Sequence, residues 1–185
     1  MPDRTDGKSL RSGFLHHAKA DPDRPAVIVR GSTRSYGEIQ ERASRWAGSI
    51  MDACGQRPER VGLYTHRSEV AYTGTMAALL SGATFVPLNP TFPVQKTAAM
   101  IAQADLDAII VDSTCLPKLD AVIQSFEGSC ILTPDSNGYN GHVPVFSSAE
   151  LEKSQPLRFF PPLTPEDTAY LLFTSGSTGA PKGFQ

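Results

Sequence analysis

Short apolar runs alternate with amphipathic stretches between residues 61 and 133, and this alternation constrains the fold more than any other feature of the chain. The apolar runs that we interpret as strands are VGLYT (61–65), TFVPLN (84–89), DAIIVD (107–112) and CILT (130–133). Strands and helices in this order give at least three β-α-β crossovers, which predict an α/β fold with a largely parallel sheet covered by helices. The run AIIV has no polar alternation, as is typical of a strand that is buried on both faces.

The stretch before these repeats predicts a hairpin followed by a long helix. Residues 25–36 hold a β-branched run, a Gly-Ser-Thr turn and a short return strand. Ser35 and Glu38 have the spacing of a capping box, in which each side chain bonds a backbone N–H at the start of a helix. The apolar spacing predicts this helix over 36–54, with Trp46 in the core. Its polar face, which we interpret as solvated, carries Glu38, Glu41, Arg42 and Arg45.

Turn and cap residues mark the ends of the later elements. A helix is predicted from about Ser68 to Leu80, closed by Gly82, which suits a left-handed C-cap. Pro87 suggests that the strand 84–89 lies at a sheet edge, because proline cannot donate to the ladder. Pro93 suits the first turn of the next helix.

Composition excludes several classes of protein. The 185 residues are 40% apolar and 19% charged, with a net charge of −2, so a basic nucleic-acid-binding face is not expected. The polar N-terminus lacks a signal-type apolar segment, and no run reaches the ~18 apolar residues of a membrane span, so we expect no membrane partner and a cytoplasmic location. Residues 1–9 are expected to be flexible.

The three cysteines are predicted to be free thiols, because Cys54, Cys115 and Cys130 show no CxxC spacing. No metal site is predicted.

Residues 134–168 are rich in proline and glycine and predict a long connection, with a short helix around 147–153. A connection of that length is unusual inside one domain, so it could be a domain linker. An apolar strand follows it at once, which favours an excursion over the surface of a single domain that spans residues 1–185.

The stretch YLLFTSGSTGAPKG (170–183) predicts a site for a polyphosphate. A strand over 169–174 runs into two glycines, whose backbone can approach an anion closely, among several hydroxyl donors and followed by one lysine. The candidate phosphate-binding residues are Thr174, Ser175, Gly176, Ser177, Thr178, Gly179 and Lys182. The spacing fits neither the Walker A loop nor the G-x-G-x-x-G fingerprint. By composition alone, a flexible surface loop explains such a segment equally well.

The complete string resembles the phosphate-binding signature of the adenylate-forming superfamily, [ST]SG[ST]TGxPKG. Two earlier stretches, RSYGEIQERASRWAGSI and LLSGATFVPLNPTFPVQKTAAMIAQAD, resemble further segments of that family. The second has the form typical of amino-acid-activating members, the adenylation domains of nonribosomal peptide synthetases. The resemblance covers about residues 10–185.

The resemblance implies a two-step ligase. A carboxylate, here an amino acid, attacks ATP to give an acyl-adenylate and pyrophosphate, with Mg²⁺ as the metal. The acyl group then passes to the thiol of CoA or of phosphopantetheine on a carrier protein. By analogy with the family, the seven candidate residues contact the β- and γ-phosphates of ATP.

Members of the family are longer than this chain. The chain resembles only the N-terminal part of their large domain, up to the phosphate loop. No complete catalytic set is expected within 1–185, so we expect the isolated chain to be inactive, with doubtful binding of the cofactors, and residues 175–185 to be mobile. Two alternatives remain open: a non-catalytic remnant that acts as an interaction or docking domain, and a stand-alone phosphate binder.

Overall fold

The computed structural model describes residues 9–175 and 181–184. The helices are α1 (Leu10–Ala20), α2 (Tyr36–Cys54), α3 (Glu69–Ser81), α4 (Val94–Ala104), α5 (Leu116–Val122) and α6 (Ser148–Lys153). The strands are β1 (Pro25–Val29), β2 (Ser32–Ser35), β3 (Arg60–Tyr64), β4 (Thr84–Leu88), β5 (Ala108–Val111), β6 (Cys130–Thr133), β7 (Val145–Ser147), β8 (Leu172–Ser175) and β9 (Pro181–Phe184). Among the helices of these two ranges, none combines the length and the hydropathy that a membrane span requires.

The central sheet has five strands in the order β4-β3-β5-β6-β7, and every neighbouring pair is parallel. The predicted α/β class and the three crossovers between β3 and β6 are therefore confirmed. β4 is the edge strand of this ladder, as Pro87 suggested. β7 was missed, because its three residues lie among prolines and glycines and have no strand pattern of their own.

The sheet is buried on both faces, which explains the continuous apolar runs of its inner strands. All four residues of β5 are inaccessible to solvent. Ala108 and Ile110 pack in the cluster that α2 and α3 cover, whereas Ile109 and Val111 pack in the cluster formed with α4 and α5. Alternate residues of a strand point to opposite faces, so one short apolar run serves two cores.

Local signals at the helix ends predicted their positions well. Ser35 and Glu38 form the expected capping box at the start of α2. At α3, the Ser68 hydroxyl accepts from the amide of Ala71, and Gly82 ends the helix in the left-handed conformation with φ 82°. Trp46 is buried, with 3% of its surface exposed.

The polar face of α2 is solvated only in part: Glu38 and Glu41 are exposed, as predicted, whereas Arg42 and Arg45 are half-buried and contact other elements. Arg42 forms an ion pair with Glu69 at the start of α3. Arg45 donates to the carbonyl oxygens of Glu152 and Ser154 at the C-terminal end of α6. The i,i+4 charge pattern could not reveal these partners, because they come from distant parts of the chain.

The segment 134–168 contains β7 and α6, the latter close to the helix predicted at 147–153. Part of the remainder is anchored to the helices: the amide of Leu157 donates to the carbonyl of Ser44 at 3.0 Å. The buried Arg11 side chain donates to the carbonyls of Leu79 (3.3 Å) and Pro161 (2.5 Å). The flexibility expected of residues 1–9 concerns positions that lie, apart from Ser9, outside the described residues. The domain boundaries stay a prediction.

Two glycines inside helices provide a matched test of this packing. We expect Gly13→Ala in α1 to raise the free energy of unfolding by about 0.5–1 kcal/mol, because nothing lies within 4 Å of the new Cβ and alanine favours the helix. We expect Gly48→Ala in α2 to lower it by about 1–3 kcal/mol, because the Cβ would lie 2.8 Å from the backbone oxygen of Gln155. Urea unfolding of both variants measures the difference, and a stabilised Gly48→Ala protein would show that residues 155–157 do not pack on α2.

Candidate functional site

The polyphosphate segment predicted at 170–183 begins in a short antiparallel hairpin. β8 pairs with β9 in a register that sets Phe173 opposite Gly183, Thr174 opposite Lys182 and Ser175 opposite Pro181. The two strands therefore bring both ends of the Ser/Thr/Gly segment together. The sequence analysis predicted the first strand but not the second, since PKG has a poor strand composition.

The structure places three of the seven predicted residues. Thr174 is exposed on β8, Ser175 ends that strand, and Lys182 lies in β9. The other four lie outside the described residues: Gly176, Ser177, Thr178 and Gly179. The predicted mobility of residues 175–185 stays a prediction, because residues 176–180 and 185 lie outside the described residues. The contact of all seven residues with phosphate also stays a prediction.

The lead-in to β8 lies along the free edge of β4. The amide of Phe85 donates to the carbonyl of Ala169 at 3.0 Å, and the amide of Leu171 donates to the carbonyl of Phe85 at 3.0 Å. The Thr84 hydroxyl adds a bond to the carbonyl of Thr168 at 2.8 Å. These contacts fix the position at which the hairpin leaves the sheet.

An ion pair holds the turn before this strand. Arg57 pairs with Asp167 and also donates from Nε to the carbonyl of Gly82 at 2.9 Å. The amide of Thr164 donates to Asp167 at 2.6 Å, and this bond, together with Arg57, lowers the pKa of the Asp167 carboxyl. The turn is thus tied to the C-terminal end of α3. The sequence analysis missed both charged residues, which lie 110 positions apart.

A second polar cluster lies at the carboxyl ends of β3 and β5. Asp112 is 1% exposed and accepts from the amide of His66 (2.7 Å), the hydroxyl of Ser68 (3.1 Å) and the hydroxyl of Thr114 (2.6 Å). Burial raises the pKa of this carboxyl, but the hydrogen bonds outweigh it and hold the pKa below the ordinary value of 3.8. A carboxylate with these donors acts as a structural acceptor that joins β5 to the start of α3. The sequence analysis did not single out Asp112, although a polar residue directly after a buried strand could have indicated it.

The cysteines offer no activated nucleophile. All three are free, as predicted. Burial is the main cause that raises the pKa of Cys115 and of Cys130 to about 12, so both thiols stay protonated at neutral pH. Within 9–175 and 181–184, no group of three or more His, Cys, Asp or Glu side chains could hold a metal ion.

The comparisons with known proteins agree with this architecture. Residues 14–185 match the family described as AMP-binding enzyme. The chain is 33% identical over 178 residues to a dimodular nonribosomal peptide synthase of Bacillus subtilis, a match that covers 94% of the chain and 7% of that protein. Among solved structures, it is similar to IdnL7 (31% identity, TM-score 0.80), with 94% of the chain and 33% of IdnL7 covered. It is also similar to the N-terminal subdomain of Klebsiella oxytoca NpsA (25% identity, TM-score 0.70), with 95% and 42% covered.

The chain spans only a small part of the curated relatives that it matches. The shares of the first matched proteins run from 2% to 26% of their length. The match therefore concerns one segment of much longer proteins, and that segment includes β8 and β9.

We expect Asp112→Asn to lower the free energy of unfolding by about 1–3 kcal/mol at pH 7, because one of two buried acceptor oxygens is replaced by a donor. Since the folded pKa of Asp112 lies below its unfolded value, its stabilisation is complete above about pH 5 and is lost as the pH falls through and below 3.8. The difference in the free energy of unfolding between the variant and the native chain, measured by urea unfolding, should therefore become smaller from pH 5 to pH 3. Asp105→Asn is the matched control, because that side chain is 94% exposed. A gap that is independent of pH would contradict this account of Asp112.

Proposed function

Since the chain belongs to the AMP-binding enzyme family, we propose that it supplies the ATP-phosphate-binding part of a ligase that joins a carboxylic acid to AMP and releases pyrophosphate. The observation that carries this proposal is the register of the β8–β9 hairpin. It sets Thr174 opposite Lys182, at the two ends of the Ser/Thr/Gly segment.

The proposed role of these residues is electrostatic. The exposed Thr174 hydroxyl, the hydroxyls of Ser175, Ser177 and Thr178, and the backbone amides around Gly176 and Gly179 donate to phosphate oxygens, and Lys182 adds a positive charge. Donors that are already in place when negative charge develops stabilise the transition state without further reorganisation. ATP supplies the adenylyl group: the carboxylate oxygen bonds to the α-phosphorus, and pyrophosphate leaves. The anchoring of residues 168–171 on β4 holds the first of the donors in position.

An amino acid is the substrate class that the resemblance to peptide synthetases favours. The thiol acceptor we propose is CoA or the phosphopantetheine of a carrier protein, with Mg²⁺ as the metal. The cytoplasmic location stays a prediction. We further propose that residues 1–185 do not complete the reaction alone, because the segment corresponds to only 33% of IdnL7.

A chimera tests this function. We replace the matched third of IdnL7 with this chain and measure carboxylate-dependent ATP–pyrophosphate exchange, using unmodified IdnL7 as the reference. We expect the chimera to retain exchange, and Lys182→Ala to lower kcat/KM for ATP by about tenfold to a hundredfold, because a cation that faces the leaving pyrophosphate is lost. Lys153→Ala, at the exposed end of α6, is the matched control and should leave exchange unchanged.

The isolated chain, assayed with a pool of amino acids, should give no exchange above background. Robust exchange by the chain alone would contradict its proposed incompleteness. A folded chimera without exchange would contradict the ligase proposal and favour a docking domain.

A further inference from the structure

Two Asn-Gly pairs lie in the segment 134–168, and the proposed function uses neither of them: Asn137-Gly138 and Asn140-Gly141. In such a pair, the backbone nitrogen of the glycine can attack the carboxamide carbon of the asparagine that precedes it. Glycine favours this attack, because it has no Cβ to obstruct the approach and its backbone turns freely. The two pairs are equivalent by sequence, whereas the structure distinguishes them.

The first pair is held by hydrogen bonds at both of its reacting groups. The carboxamide oxygen of Asn137 accepts from the amide of Ala149, in the first turn of α6, at 2.9 Å. The amide of Gly138, whose nitrogen is the attacking atom, donates to the hydroxyl of Ser136 at 3.4 Å. Attack requires the Asn137 side chain to rotate towards its own backbone and the amide to leave its acceptor. The fold therefore slows the reaction at this pair.

The second pair has neither restraint. Asn140 is exposed in the connection between β6 and β7. Among the described residues, none forms a hydrogen bond with its carboxamide or with the amide of Gly141. Both residues line a surface cavity of about 260 Å³, whose walls also include Ser147 and Glu150. Water therefore reaches the pair, and the Asn140 side chain can rotate without breaking a bond to the rest of the fold.

The residues directly before and after the second pair are anchored to α5 and its C-terminal extension. The hydroxyl of Tyr139 donates to the carboxylate of Asp120 at 2.7 Å. Nε2 of His142 donates to the carbonyl oxygen of Phe126 at 2.8 Å. The main chain between these two anchors has a fixed length, so any reaction that lengthens it must displace one of them.

We propose that Asn140 is a site of spontaneous deamidation and that the fold protects Asn137 from the same reaction. The nitrogen of Gly141 bonds to Cγ of Asn140, the Cγ–Nδ2 bond breaks, and ammonia leaves with the proton of the Gly141 amide. Water then opens the resulting succinimide. Addition at Cγ gives aspartate, whereas addition at the backbone carbonyl carbon gives isoaspartate, whose main chain is longer by one methylene. Water is the only reagent that the two steps consume.

Peptide mapping by mass spectrometry tests this proposal on the 185-residue chain, incubated at mildly alkaline pH with and without urea. In the folded chain, we expect Asn140 to deamidate about fivefold to tenfold faster than Asn137, which must first give up its hydrogen bonds. In urea the two rates should become similar, because both pairs then have the same freedom. Equal rates in the folded chain, a faster reaction at Asn137, or a ratio that urea leaves unchanged would overturn the proposal.

Two glutamine variants provide a matched comparison, since both positions are exposed. The acidic species that accumulates in ion-exchange chromatography should disappear in Asn140→Gln and persist in Asn137→Gln, with thermal melts to show that both variants fold. An acidic species that forms at the native rate in Asn140→Gln would contradict the assignment.

The purified isoaspartyl fraction tests the role of the anchors. We expect its Tm to lie about 2–4 °C below that of the fresh chain, because the longer main chain displaces one anchor. Asn140→Asp, which adds the charge without the methylene, should melt like the native chain. An isoaspartyl fraction as stable as Asn140→Asp would overturn the inferred loss of an anchor.

Discussion

Two backbone hydrogen bonds along the edge of β4 determine where the phosphate segment lies. They join Phe85 to Ala169 and to Leu171, so the lead-in strand extends the sheet in parallel before it leaves as β8. The position of β4 depends in turn on the two-sided core, because β3 and β5 are buried between α2 and α3 on one side and α4 and α5 on the other. The buried sheet thus fixes the position of β4, and β4 in turn fixes the position of the polar segment at the edge of the sheet.

The periodic elements of the fold could be predicted from the sequence because their causes are local. A run such as AIIV requires a strand that is buried on both faces, and Ser35 with Glu38 requires a helix start. The structure confirms both. The contacts that position the site could not be predicted, since they join distant residues. Thr84 binds the carbonyl of Thr168, 84 positions away, and nothing in the local pattern around either residue indicates the bond.

In the candidate site, too, the features with local causes could be predicted from the sequence, whereas the pairing of separate segments could not. The string from Thr174 to Lys182 predicted an anion site and its residues from composition and resemblance, without any tertiary information. The hairpin was not predicted, because it requires PKG to pair with residues that lie six to ten positions earlier, although proline and glycine disfavour strands. Periodicity also missed the exposure of Tyr72 and Leu172: both have residue types that are common in a core, yet they are 46% and 45% exposed.

A crystal structure of the IdnL7 chimera with a non-hydrolysable ATP analogue would show whether the β8–β9 hairpin holds the phosphates of ATP. We expect β- or γ-phosphate oxygens within about 2.7–3.2 Å of the Thr174 hydroxyl and of backbone amides in the segment that follows it. Phosphates bound elsewhere, for example at the carboxyl ends of β3 and β5 beside His66 and Ser68, would contradict it.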